Sequence, residues 1–81
     1  MTRGAPFRIG AHVREALRAA RPVVALESTV ITHGLPRPRN LEAALRLERV
    51  VEAAGAVPAT VGVLDGEVVV GLARDELERL A

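Results

Sequence analysis

Four consecutive apolar residues, Val23, Val24, Ala25 and Leu26, run without polar alternation up to a single acid, Glu27, and then into a polar loop. A strand with no polar side must be covered on both faces, the condition met in parallel sheets sandwiched between helices. A second apolar stretch, Ala56 to Leu64, repeats the condition, and a helical pattern lies between the two. Strand, loop, helix and strand make a βαβ unit, whose crossover is right-handed. The chain is therefore expected to be α/β, a layered α/β/α fold with a mixed, largely parallel sheet. These residues would supply its first βαβ unit and a hairpin strand.

The remaining elements follow from punctuation. Ala11 to Ala20 carries Val13, Ala16, Leu17 and Ala20 on one stripe, so a helix is expected there, stopped by Pro22. The strand is expected over Pro22–Ser28, reaching as far as Ile31. Thr32 to Arg39 holds Gly34, Pro36 and Pro38 and reads as a loop without regular helix. Asn40 is the expected N-cap of a helix that runs to Ala54, with Gly55 as the residue just beyond it. Its core stripe would be Ala44, Leu47, Val51 and Ala54. Glu48 and Glu52, one turn apart, repel each other and are expected to face solvent. Asp65-Gly66 predicts a tight hairpin into Glu67–Val70. A last helix is expected from about Arg74 through Leu77 and Leu80, weakly capped because Ala73 has no side-chain acceptor.

So few elements cannot cover both faces of the first strand. The 81 residues are therefore expected to be the N-terminal portion of a single larger α/β domain, with residues 1–9 disordered and the last helix cut short.

Charge narrows the function. Eleven basic residues nearly cancel ten acidic ones, leaving +1, and the signs are interleaved. With one Phe and no Trp or Tyr, the chain has neither the electrostatic footprint nor the stacking platforms of a nucleic-acid binder. It contains no cysteine, which rules out disulfides and thiolate metal sites and fits a reducing compartment. No segment has the length and apolarity of a signal peptide or membrane span, so a soluble, cytoplasmic protein is expected. Every basic residue is Arg, which removes Schiff-base chemistry from these residues.

Glu27 is the leading candidate for chemistry. In open α/β sheets the ligand crevice lies at the carboxyl ends of the strands, where Glu27 sits. Partial removal from water disfavours a charged carboxylate and suits such a group to donate a proton. A strand-end glutamate that is only solvated, or paired with an arginine, is the plainer alternative.

The segment Val23 to Pro36, reading Val-Val-Ala-Leu-Glu-Ser-Thr-Val-Ile-Thr-His-Gly-Leu-Pro, resembles the signature of the pseudouridine-5′-phosphate glycosidases, the indigoidine-synthase-A-like family. Gly-Ala-Val-Pro-Ala-Thr from Gly55 to Thr60 resembles a second block of that family, at matching spacing, and Val70-Gly71-Leu72 before an acidic helix extends the likeness. The resemblance implies reversible cleavage, with water, of the carbon-carbon glycosidic bond of pseudouridine 5′-phosphate to uracil and ribose 5-phosphate. Such a bond has no protonatable leaving heteroatom, so the paired-carboxylate scheme of ordinary glycosidases does not serve. The family is understood to open the ribose ring and hold its anomeric carbon as a lysine adduct. A glutamate, matched here by Glu27, donates the proton that permits ring opening. The lysine, the uracil contacts and the aspartate that helps hold a divalent metal, usually manganese, have no counterpart in this chain. No metal ligand is therefore expected among these residues, and the complete enzyme is expected to be a homo-oligomer, a trimer.

Beside Glu27, Ser28 and Thr29 offer hydroxyls for a ribose hydroxyl or phosphate, or else cap the strand end. His33 is a further candidate for substrate binding, against a loop histidine bonded to backbone. Gly34 is expected to answer a backbone demand. Arg37 and Arg39 are read as a solvated loop in preference to a phosphate site, and Asp65 as a turn residue. The alternative function is a non-catalytic α/β interaction module, or relic, that assembles with a separately encoded chain.

Overall fold

The computed structural model describes residues 7–81. The strands are β1 (Phe7–Ile9), β2 (Val23–Leu26), β3 (Val57–Leu64) and β4 (Glu67–Val70), and the helices are α1 (Ala11–Arg18), α2 (Arg39–Ala53) and α3 (Arg74–Leu80). One sheet holds them in the order β1-β4-β3-β2. β2 runs parallel to β3 with Leu26 opposite Thr60, and β1 runs parallel to β4 with Phe7 opposite Val68. The β3–β4 hairpin supplies the antiparallel step. The mixed, largely parallel α/β sheet expected from the apolar runs is what forms.

β1 departs from the sequence reading, which has residues 1–9 disordered; residues 1–6 of that range lie outside the described residues. β1 is held by its parallel backbone ladder to β4 and by two ion pairs. Arg8 extends from β1 to Glu67 of β4 at 3.0 Å and also pairs with Glu76 of α3, fastening a three-residue strand to two elements distant in sequence.

The core lies on one side of the sheet, where Ile31, Ala44, Val69, Leu72 and Leu77 are buried together. Gly62 admits this packing, because a Cβ there would stand 3.0 Å from both Leu72 Cδ1 and Leu80 Cδ2. On the opposite side Val13 and Ala16 of α1 are buried, as is Ala59 of β3. α1 can approach because Gly10 and Gly71 lack side chains: a Cβ on Gly10 would lie 2.1 Å from the Gly71 carbonyl oxygen.

Both long connections end in the same motif. After α2, Gly55 adopts φ 92°, and the amides of Gly55 and Ala56 donate to Glu52 and Val51. After α1, Ala20 adopts φ 57° with the same pair of bonds, Ala20 to Leu17 and Arg21 to Ala16. These are Schellman closures, and the second is made without glycine. Ala20 is therefore outside α1, two residues beyond the helix end, and Leu17 is left exposed in place of the expected stripe.

Three further expectations are corrected. β2 is not covered on both faces: Val24 is 41% exposed and Ala25 is exposed too, and among the described residues β2 is an edge strand beside β3. Of the stripe assigned to α2, Ala44 is buried but Leu47 and Ala54 are exposed, because the helix turns Asn40 and Ala44 inward instead. Glu48 does not face solvent freely, since the buried Thr60 hydroxyl donates to its Oε2 at 2.6 Å. A hydroxyl removed from water needs an acceptor, and α2 supplies it.

Candidate functional site

Glu27 comes directly after the last residue of β2 and is exposed, and no ion pair among the described residues includes it. The partial burial expected for it is not supplied by these residues. Among the described residues β2 has no second neighbour in the sheet, and Glu27 at its end is exposed.

The segment after Glu27 is more ordered than a loop. The Ser28 carbonyl accepts the amides of Ile31 at 2.9 Å and Thr32 at 3.1 Å, and the Thr32 hydroxyl at 3.3 Å. The Leu35 amide donates to Val30 at 3.3 Å, closing a π-helical turn over Val30–Gly34, where the strand was expected to reach Ile31 and a loop to follow from Thr32; the strand instead ends at Leu26. Single π turns of this kind recur at functional sites. The turn is seated by Ile31, whose side chain enters the core and whose carbonyl accepts Asn40 Nδ2 at 3.0 Å. Its outer side presents His33, exposed beside Thr32.

Ser28 is half-buried and Thr29 exposed. Ser28 Oγ lies 3.5 Å from the position a Gly62 Cβ would take, so Ser28 faces the core side of the sheet. Glu27, Ser28 and Thr29 follow β2 in succession, and His33 lies in the π-helical turn beyond them. Gly34 has neither a positive φ nor a close neighbour, the nearest atom to a Cβ there being the Thr29 carbonyl oxygen at 3.5 Å. The backbone demand expected of Gly34 is absent within these residues. Arg37 is exposed and donates to the Glu78 carbonyl at 3.2 Å, at the carboxyl end of α3.

Asn40, expected as an N-cap, is instead the buried bracket of the site. It lies in the first turn of α2, where Oδ1 accepts the Leu41 amide at 2.8 Å and Nδ2 donates to Ile31 and Ala81. It ties the turn after Glu27 to α2 and to the end of α3. Capping residues and buried asparagines look alike in sequence, so only the density of apolar residues around it offers a signal. Sequence reasoning also misses Glu48, Thr60 and Gly62 as supports; the glycine interrupting an otherwise apolar strand is their one visible mark.

Among the described residues no group of three or more His, Cys, Asp or Glu is placed to hold a metal ion. The divalent metal implied by the family resemblance does not fit these residues, and no chemical step on them is routed through it. A concavity of about 350 Å³ lies elsewhere, lined by His12, Arg21, Glu52, Ala56, Val57 and Pro58. It sits by the amino ends of β2 and β3, the end of the sheet opposite Glu27. No helix of the described residues is long and apolar enough to cross a membrane.

Residues 12–81 match the family model described as indigoidine synthase A like protein. The chain is 63% identical over 73 residues to the pseudouridine-5′-phosphate glycosidase of Streptomyces griseus, covering 90% of this chain and 23% of that protein. It is 51% identical over 74 residues to the Clostridium botulinum protein of the same name, covering 91% of this chain and 24% of that one. The chain therefore spans about a quarter of the length of these relatives.

Among solved structures, an indigoidine synthase A-like protein from Thermotoga maritima superposes with a TM-score of 0.75 at 29% identity, over 99% of this chain and 25% of that one. The prealnumycin C-glycosynthase AlnA, in complex with ribulose 5-phosphate, does so with a TM-score of 0.73 at 42% identity, over 94% of this chain and 24% of that one.

Proposed function

The chain belongs to the family of indigoidine synthase A like proteins, and on that premise we propose that it is the N-terminal part of a pseudouridine-5′-phosphate glycosidase. The complete enzyme would cleave, reversibly and with water, the carbon-carbon bond joining uracil to ribose 5-phosphate. The observation that carries this reading is Glu27 at the open end of β2, succeeded by an anchored turn, in a segment 63% identical to a glycosidase of that name. The likeness to a C-glycosynthase in complex with ribulose 5-phosphate supports the same chemical class, a carbon-carbon bond at a sugar phosphate.

In this reading Glu27 is the proton donor. Opening the ribose ring breaks the bond between the ring oxygen and the anomeric carbon, and the departing oxygen needs a proton that a carboxylic acid can deliver. Ser28, Thr29 and His33 border the same strand end and would bind the ribose or its phosphate. The lysine that would hold the opened sugar lies outside this chain, which has none. A divalent metal such as manganese, if the family's aspartate holds one, would likewise be bound outside it. The complete enzyme is proposed to be a cytoplasmic homo-oligomer, a trimer.

The test is uracil release from pseudouridine 5′-phosphate. The 81-residue chain alone is expected to release none; joined to the remainder of a relative such as the Streptomyces protein, it is expected to turn over. Uracil release by the chain alone would contradict the assignment of the covalent step to residues outside it.

A further inference from the structure

One stripe of α2 turns two polar residues inward with a small apolar residue between them. Asn40, Ala44 and Glu48 recur at one-turn spacing and so lie one above another on the same helix face. Asn40 and Ala44 are buried, and the half-buried Glu48 accepts the Thr60 hydroxyl at 2.6 Å. Asn40 and Glu48 stand about 12 Å apart along the helix axis.

These two side chains grip the structure on either side of Glu27. Asn40 Nδ2 holds the Ile31 carbonyl in the turn beyond Glu27. Thr60 lies opposite Leu26, the residue just before Glu27, in the parallel ladder. α2 packs on β3 and on the π-helical turn, so its hold on the end of β2 runs through these two neighbours. Thr60 is itself a junction: it is 2% exposed, and its carbonyl accepts the amides of Gly71 and Leu72 at 3.0 and 2.9 Å.

The fold does not require a polar pair at this place. Glu48→Leu with Thr60→Val would fill the space with no polar atom, and exchanging both partners of such a bond for apolar groups of like shape is close to neutral or stabilising. Half-burying a carboxylate costs it hydration, and no ion pair among the described residues includes Glu48. What the hydrogen bond adds over apolar packing is a fixed distance and register.

Resting on the glycosidase reading above, we infer that Glu48 is a positioning residue for the proton donor: through Thr60 it sets the Leu26 end of β2, as Asn40 sets the turn beyond, and together they hold Glu27 in place against the sugar. A displacement of about 1 Å at a reacting group costs about 10²-fold in rate, so a bond that adds little to stability can add much to turnover.

The test is Glu48→Leu with Thr60→Val in the chain joined to the remainder of the Streptomyces relative, with uracil release and melting temperature read on one preparation. The melting temperature should hold while kcat falls at least about tenfold, at a KM within about threefold of the parent. Parental kcat would overturn the inference, and so would a fall in melting temperature that accounts for the lost turnover, since the pair would then be structural. Glu48→Gln keeps an acceptor for the Thr60 hydroxyl and should bring kcat to within about threefold of the parent. A loss as large as that of the apolar pair would overturn the inference, because the charge and not the bond would carry the effect. The 81-residue chain gives a readout independent of turnover. With the apolar pair in place, the Ile31 and Thr32 amides, which donate to the Ser28 carbonyl, should exchange at least about tenfold faster, and unchanged exchange would overturn the positioning. Faster exchange in the chain, where the unsubstituted joined enzyme releases no uracil, would support the positioning and count against the glycosidase reading alone.

Discussion

Asn40 Nδ2 donates to the Ile31 carbonyl at 3.0 Å, a bond that joins the packing of Ile31 beside Ala44 in fixing the turn after Glu27 to α2. Asn40 is 3% exposed, so truncation leaves the Ile31 carbonyl and the Leu41 amide without their partner in a site water cannot easily fill. Orphaned buried polar groups cost about 1–3 kcal/mol each. Asn40→Ala is expected to lower stability by about 2 kcal/mol on that scale, read as a lower urea midpoint at unchanged slope. Hydrogen exchange should quicken at the amides of Ile31, Thr32 and Leu35.

The paired Schellman closures predict opposite effects from opposite substitutions. Ala20 at φ 57° bears the strain of a left-handed alanine, so Ala20→Gly should stabilise by about 0.5–1 kcal/mol after the entropy of glycine is subtracted. Gly55 at φ 92° has open space around it, so Gly55→Ala should destabilise by about 1 kcal/mol through the backbone alone. Thermal melts of the two variants, moving in opposite directions, check this.

Much of this architecture is legible in the sequence. The apolar run of β3 stops where the structure ends the strand, at Leu64, and Asp65-Gly66 makes the hairpin with both residues at positive φ. Gly55 is recognisable as a helix terminator. β1 is not legible because three residues carry no periodicity, and its anchorage by Arg8 to Glu67 and Glu76 joins residues about sixty or more positions apart. Asn40 is misread as a cap because local sequence cannot tell a cap from a buried bracket. Glu27 is exposed, as in the plainer reading of a solvated strand-end acid, and the sequence does not decide between the two readings because an apolar run reports the burial a strand requires, not whether the covering elements belong to the same chain.

The acid side of stability is set in part by Glu76. The Ala73 amide, donating to its Oε1 at 2.9 Å, is the largest influence holding this carboxyl below its ordinary value, with Arg8 adding to it against the opposing effect of burial. A carboxyl depressed in the folded state contributes stability above its unfolded value and loses it as pH falls through the folded one. Stability should therefore decline below about pH 4.5, the ordinary glutamate range, and Glu76→Gln should flatten that decline. Urea midpoints at about pH 3, 5 and 7, which bracket that range, would read the difference.

Two glycines separate scaffold from site. Gly10→Ala would drive a methyl into the Gly71 carbonyl and should cost about 3 kcal/mol, at the upper end for overpacking. Gly34→Ala meets only ordinary contacts and should leave stability within about 0.5 kcal/mol. If Gly34 serves substrate approach, the complete enzyme carrying Gly34→Ala should lose turnover while keeping its melting temperature.

The assignment of Glu27 as proton donor is tested most directly by replacing it with glutamine in the complete enzyme and measuring uracil release from pseudouridine 5′-phosphate. Glu27→Gln preserves the shape of the side chain and removes the acid, so folding should be unchanged and turnover should fall by about 10² to 10⁴. Turnover near that of the unsubstituted enzyme would contradict the account.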